Sequence, residues 1–298
     1  MEATQTRAIR VGKAPLRTTA EAFLVNSLSS PKEITPIPHL YGASAAWCPR
    51  QNFFLTKDWD FGSTDSPSSN LYMSIGNGIE DAICDGLTRK GRLLFNNLYL
   101  PPMDPKVSGK IDIVYIDQDD QIAIGEIKSC GTLPSKPKES HLTQLLTYAA
   151  VGGYDRCNLI YVSRNVADQH GNILLRVFNI KIDDDTMLDI LERVCLSQKV
   201  RDENWMPNPP ATFTKATCFY CQFKDVCWGD KQHLLRQFET LSSADYAQKL
   251  LEVKSQALHL LESRRARNIA SLRHLYRNTE NRYHQAALIK EIEKTEPF

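Results

Sequence analysis

The stretch Gly109-Lys110-Ile111-Asp112-Ile113-Val114-Tyr115-Ile116-Asp117-Gln118-Asp119-Asp120-Gln121-Ile122-Ala123-Ile124-Gly125-Glu126-Ile127-Lys128 decides how this chain is read. Residues 110–116 and 121–129 are rich in Ile, Val and Tyr, and the acidic run between them supplies turn-forming side chains, so the pattern predicts a β-hairpin. Period two then puts Glu126 and Lys128 on one face of the second strand. Asp112 sits mid-strand among Ile111, Ile113 and Val114, where a carboxylate is costly unless a cation or hydrogen-bond donors satisfy it.

The chemistry follows from ligand type. Two carboxylates offer the hard oxygens that suit Mg²⁺ or Mn²⁺. Such an ion activates water and shields negative charge on a phosphate, and Lys128 would orient that water and stabilise the developing charge. The plainer alternative is a structural Glu–Lys pair on a solvent-facing strand. From Ser140 onward, Leu142, Leu145, Leu146 and Ala149 form the apolar stripe of a helix, and His141, Gln144 and Tyr148 share a face beside it. Packed on the hairpin, that helix would aim Gln144 and Tyr148 at the lysine or at a phosphate oxygen.

In order and spacing, Asp112, Glu126-x-Lys128 and Gln144-x3-Tyr148 resemble motifs II, III and the QxxxY signature of RecB-type nucleases in the PD-(D/E)XK superfamily. The resemblance covers residues 40–230 and implies an α/β, restriction-endonuclease-like mixed sheet flanked by helices, with the strand pair carrying the metal site. The family's upstream helix carries G-x-x-x-H. Here the matching segment runs from Met73 to Ile83 and has Glu80 where histidine is usual. The resemblance makes Glu80 a third metal ligand beside Asp112 and Glu126, with the Ile127 carbonyl as a further one. The alternative is that Glu80 and Asp81 decorate a solvated face.

Cys218, Cys221 and Cys227 form C-x2-C-x5-C, a soft-ligand set one short of four. Cys48 is the fourth by resemblance, because a lone cysteine ahead of the first nuclease helix, with a later C-x2-C-x5-C, is the pattern of iron–sulfur RecB-like nucleases. These include CRISPR adaptation nucleases and AddB-type recombination subunits. Four thiolates suit a [4Fe–4S] cluster and also Zn²⁺, and the resemblance favours iron–sulfur. Cys84, Cys130, Cys157 and Cys195 read as buried thiols. Cys130 has no histidine motif beside it, which argues against a cysteine hydrolase.

The 298 residues carry a net charge of +1, which gives no global signal for nucleic acid. No apolar run is long enough to span a membrane, and the start lacks the apolar segment of a signal peptide although it carries Arg7, Arg10, Lys13 and Arg17. A cluster-binding cysteine set points to a reducing compartment, so an intracellular location in cytoplasm or nucleoid is expected, including a phage-encoded protein in host cytoplasm.

Three regions are expected: an extension over 1–37 with a helix at 19–28, a nuclease domain with the cluster over 38–230, and a helical arm over 231–298. Within the domain, 69–90 and 183–197 read as helices and 157–163 and 173–182 as strands. In the arm, Ser242 and Ser243 are cap candidates, Leu250, Val253, Ala257 and Leu260 make a seam, and Arg264, Arg265, Arg267, Arg273, Arg277 and Arg282 make a basic stretch. That stretch reads as a phosphate contact, a partner-binding arm, or a solvated face.

The function expected is a metal-dependent DNA exonuclease acting on single strands or overhangs in recombination, replication or CRISPR adaptation. The strand and end preferences come from the resemblance alone. With no nucleotide-binding P-loop, unwinding would fall to a partner helicase, and a recombinase or integration complex is a further expected partner. Two other readings remain: a nuclease-fold DNA-binding scaffold with weak activity, and a zinc-stapled endonuclease.

Overall fold

The computed structural model describes residues 40–55, 67–100, 105–167, 172–211, 213–214, 217–218, 221–229, 232–238 and 240–295. The helix expected at 19–28 lies outside them. The chain divides into two compact units, residues 1–33 with 62–74 and residues 34–61 with 75–298. Only residues 67–74 of the first unit are described, as the start of a helix.

The hairpin is present as β4 (Lys110–Ile116) and β5 (Ile122–Cys130). Its turn is fastened by Asp117, whose carboxylate accepts the N–H groups of Asp119 and Gln121 at 2.9 and 3.0 Å. With β2 (Leu93–Tyr99), β6 (Arg156–Ala167) and β7 (Ile173–Lys181) these strands form one sheet in the order β2-β4-β5-β6-β7. All neighbours are antiparallel except β5 and β6. A parallel step needs a crossover, and α4 (Glu139–Gly152) supplies it. A short parallel pair, β1 (Leu40–Tyr41) with β3 (Val107–Ser108), lies outside this sheet.

Helices cover both faces. On one, Val114, Ile124, Leu159 and Tyr161 join the main core with Leu145, Leu146 and Ala149 of α4 and Met187, Leu191 and Val194 of α5 (Asp184–Glu203). On the other, Ile113, Ile127, Ile160 and Val162 pack with Cys84, Ile79 and Ile83 of α3 (Pro67–Arg89). Helix α5 starts on Asp183, whose side chain accepts the Thr186 N–H at 2.8 Å. Cys84, Cys130, Cys157 and Cys195 are all buried free thiols.

Beyond residue 240 come α7 (Ser243–Glu262), capped by Ser242, then α8 (Arg264–Arg277) and α9 (Arg282–Thr295). Val253, Ala257 and Leu260 enter the same core as the sheet, whereas Leu250, at the edge of the expected seam, is exposed. These helices belong to the same compact unit as the sheet. Helix α8 closes the carboxyl end of α4: Arg267 Nη2 donates to the Ala150 carbonyl at 3.0 Å, Ser271 Oγ to that of Gly152 at 2.8 Å and Asn268 Nδ2 to that of Gly153 at 2.8 Å. The last carbonyls of a helix have no partner within it, so these three donors replace water. Gly153 adopts a left-handed φ of 76° and sits against the α8 backbone; a side chain there would meet the Asn268 nitrogen at 2.7 Å.

No helix among the described residues is long and apolar enough to cross a membrane.

Candidate active site

The site forms where β4 and β5 part. Their pairing runs from Ile116↔Ile122 to Ile113↔Gly125 and stops there, although both strands continue. Asp112 fills the gap: its Oδ2 accepts the Ile127 N–H at 2.7 Å, taking the place of a ladder partner. In an extended strand the N–H and C=O of one residue project to the same side, so the Ile127 carbonyl faces this gap as well.

Glu126 is 1 % exposed, and its Oε1 accepts from Lys128 Nζ at 2.6 Å. Its Oε2 is buried with no hydrogen-bond partner. Burial pushes this carboxyl up to about 7, with Lys128 opposing and the like charges of Asp112 and Glu80 adding. Asp112 is also raised by burial, against the pull of the Ile127 N–H, Lys128 and Lys110. Glu80, on α3, is raised by burial and then by Asp112, and its Oε1 accepts from Asn97 Nδ2 at 2.9 Å. Asn97 holds a left-handed φ of 50°, a conformation asparagine tolerates better than most residues.

A polar chain leads from the lysine into α4. Gln144 Oε1 accepts from Lys128 Nζ at 3.2 Å, and Gln144 Nε2 donates to the Tyr148 hydroxyl at 3.2 Å. The Tyr148 ring lies against two glycines. A Cβ at Gly109 would sit 2.8 Å from its Cε1, and one at Gly42 would collide with the same atom. His141 does not join this chain. Its Nδ1 meets the Tyr161 hydroxyl at 3.0 Å, and burial lowers its pKa to about 4, with Lys128 and Lys138 adding. It braces β6 against the start of α4.

Residues 84–228 match the PD-(D/E)XK nuclease superfamily. The matched stretch is a little under half of the chain and carries Asp112, Glu126, Lys128, Gln144, Tyr148, Cys218, Cys221 and Cys227; Glu80 and Cys48 precede it. The chain thus contains a PD-(D/E)XK nuclease superfamily domain, and its mixed five-stranded sheet with flanking helices fits the restriction-endonuclease-like α/β fold of that group. No curated protein matches the chain significantly. A solved structure titled "Crystal structure of SSO0001" is similar at a TM-score of 0.43 and 18% identity, covering 71% of this chain and 96% of that one.

PD-(D/E)XK nucleases typically use Mg²⁺ or Mn²⁺, and the donors present suit such an ion: hard carboxylate oxygens, one of them an orphaned buried acceptor at Glu126. Among the described residues, no group of three or more His, Cys, Asp or Glu side chains is already arranged to hold a metal.

The four motif cysteines come together elsewhere. Cys48, Cys218, Cys221 and Cys227 line one small cavity of about 20 Å³ with Arg50, Phe54, Phe223 and Trp228. All four are free thiols. Burial pushes Cys48 up to about 12 and Cys221 to about 11; Cys227 is raised too, with Arg50 opposing. Any metal centre here must therefore displace protons from neutral thiols. Cys48 directly precedes α2 (Pro49–Leu55), and Cys227 lies in α6 (Lys224–Trp228). Arg50 ties α2 to the loop after α5 by donating to the Pro207 carbonyl at 2.9 Å, while Phe53 and Phe54 of α2 share a local apolar core with Phe223 and Val226.

Sequence reading missed Asn97, the glycine pair around Tyr148, and Arg50. Gly42 and Gly109 carry no motif of their own; their meaning depends on where α4 lands. Arg50 had a signal in its place two residues after Cys48.

Proposed function

We propose that this protein is a divalent-metal-dependent deoxyribonuclease that hydrolyses phosphodiester bonds, with Asp112 and Glu126 as its principal metal ligands and Glu80 and the Ile127 carbonyl completing the oxygen set. One observation carries this reading: a fully buried glutamate keeps one oxygen without a partner, beside a lysine held by a glutamine–tyrosine chain. A buried carboxylate oxygen without a donor is costly, and a cation removes that cost.

Mg²⁺ or Mn²⁺ held there would polarise a phosphate oxygen and make a bound water more acidic. Lys128 donates to Glu126 and Gln144, and its ammonium charge would stabilise the negative charge developing on a phosphate oxygen. Gln144 fixes the direction of the ammonium group, and Tyr148 fixes Gln144 through its hydroxyl. Asp112, by holding the Ile127 N–H, keeps the strands parted so that carboxylates and carbonyl converge. The finer reading is exonucleolytic cutting of single-stranded DNA or overhangs, in recombination, replication or CRISPR adaptation, beside a helicase, recombinase or integration complex. Its support is the motif order and the shared four-cysteine cavity.

The four cysteines would hold a [4Fe–4S] cluster, or Zn²⁺ in its place, as a staple joining residue 48 to residues 218–227. The long loop so closed removes disorder from the unfolded chain.

The test incubates protein purified anaerobically, and its Lys128→Ala variant, with end-labelled single-stranded, duplex and circular DNA in Mn²⁺, Mg²⁺ or EDTA. Metal-dependent shortening of linear strands that disappears in the variant is the expected result. Cutting of closed circles would replace the exonuclease by an endonuclease, and binding without cleavage under every metal would replace it by a scaffold.

A further inference from the structure

Strand β2 ends in Tyr99, whose ring is 71 % exposed and takes no part in the core. Its register partner is Lys110, so both side chains leave the same face of the sheet. Lys110 Nζ stands 5.9 Å from the centroid of the ring. Asp112 lies two residues along β4 from Lys110, where β4 has parted from β5. The charge of Lys110 is felt at both Asp112 and Glu80. An open aromatic face with a cation beside it thus borders the carboxylate site, on the side away from the tightly packed Tyr148.

Packing among the described residues gives no reason for a tyrosine in this position. A nucleic acid gives one. Aromatic rings next to basic groups hold single strands, because each unpaired base offers a π-face while the ammonium takes the adjoining phosphate. A duplex keeps its base faces inside its own stack and cannot use the ring without unstacking. Lys110 is exposed, so it can turn from the ring to a phosphate when a base arrives.

We propose that Tyr99 is a stacking platform for an unpaired nucleobase of the DNA substrate beside the cleaved phosphate, with Lys110 contacting the neighbouring backbone. The inference rests on the nuclease reading and adds a side chain that selects single strands over duplex.

The test measures binding and needs no turnover. Fluorescence anisotropy compares a labelled oligothymidylate with a blunt duplex of equal length, in EDTA, for the wild-type protein and for Tyr99→Ala and Tyr99→Trp, whose melting temperatures are checked first. Tyr99→Ala is expected to weaken oligothymidylate binding roughly five- to a hundredfold. Duplex binding should stay within about twofold, because the ring does not reach stacked bases. Tyr99→Trp should restore the loss. Equal loss on both DNAs, no loss, or a Trp variant as weak as the Ala variant would overturn the proposal. A wild-type protein that cuts DNA while Tyr99→Ala binds normally refutes this inference alone. A wild-type protein that neither binds nor cuts refutes the nuclease reading and this inference together.

Discussion

Asp112 and Ile127 are joined across the parting strands by a 2.7 Å hydrogen bond from the Ile127 N–H to Asp112 Oδ2. The side chain proposed as a metal ligand is therefore also a structural acceptor, and the two roles can be separated. Asp112→Asn keeps an acceptor oxygen and should fold with nearly wild-type stability while losing metal binding and activity. Asp112→Leu leaves a buried N–H unpaired and should cost about 1–3 kcal/mol as well. Urea unfolding of both variants, with calorimetric Mn²⁺ titration, distinguishes them; equal stability of the two would remove the structural role.

Glu126 and His141 set opposite pH dependences in the metal-free protein. The Glu126 carboxyl titrates at about 7 when folded, above its ordinary 4.5, so the folded state holds the extra proton between those values and stability falls as pH rises. His141 titrates at about 4 when folded, below its ordinary 6.5, so the unfolded state holds the extra proton there and stability rises with pH. Each slope is at most about 1.4 kcal/mol per pH unit, and in the shared window from pH 4.5 to 6.5 they cancel. Relative to wild type, Glu126→Gln should gain stability as pH rises across this window, and His141→Gln should lose it. Urea midpoints at three pH values within it decide the signs.

Tyr148 depends on two residues that have no side chain. Gly109→Ala places a Cβ 2.8 Å from the ring and should displace Tyr148, freeing Gln144 and with it Lys128. The expected cost is about 1–3 kcal/mol in stability, from overpacking, with a fall in kcat larger than any rise in KM. Tyr148→Phe in the same background should add little to the loss of activity, because the hydroxyl is already misplaced.

Helix α8 should behave as part of the nuclease domain. Ser271→Ala removes one donor from the α4 terminus and should cost about 1 kcal/mol, and Arg267→Met, which also strands the Ala150 carbonyl, about 2 kcal/mol. A chain ending at residue 240 loses Val253, Leu260, Leu272 and Leu275 from the core and should not fold. A cooperative melt for that truncation would show the arm to be dispensable.

Cys221→Ser should lower the melting temperature of anaerobically purified protein and abolish visible absorption if the thiols hold a cluster, yet barely change protein stripped by chelator. Equal loss in both forms would make the cysteine a packing residue only.

The hairpin, its two carboxylates and Lys128, and the helix bearing Gln144 and Tyr148 were legible because each rests on local periodicity: two in a strand, three or four in a helix. Strand β2 escaped sequence reading; Asn96 and Asn97 interrupt its apolar pattern, and Asn97 takes a left-handed φ while its side chain donates to Glu80. The basic stretch of the arm read as a phosphate contact, a partner-binding arm or a solvated face, but part of it is spent within the fold. Arg264 pairs with Asp155 and Asp184, Arg265 donates to the Thr295 carbonyl, and Arg267 is buried. Those partners are distant in sequence and leave no trace in local pattern.

Sequence alone determined the strand and helix that carry the candidate chemistry, because side-chain direction follows from backbone period. Tertiary structure decided which neighbours those side chains meet: Asp112 on Ile127, Tyr148 between Gly42 and Gly109, four cysteines around one cavity, and α8 on the end of α4. Such contacts arise from chain closure over many residues, where packing and the pairing of buried polar groups select partners that no local rule encodes.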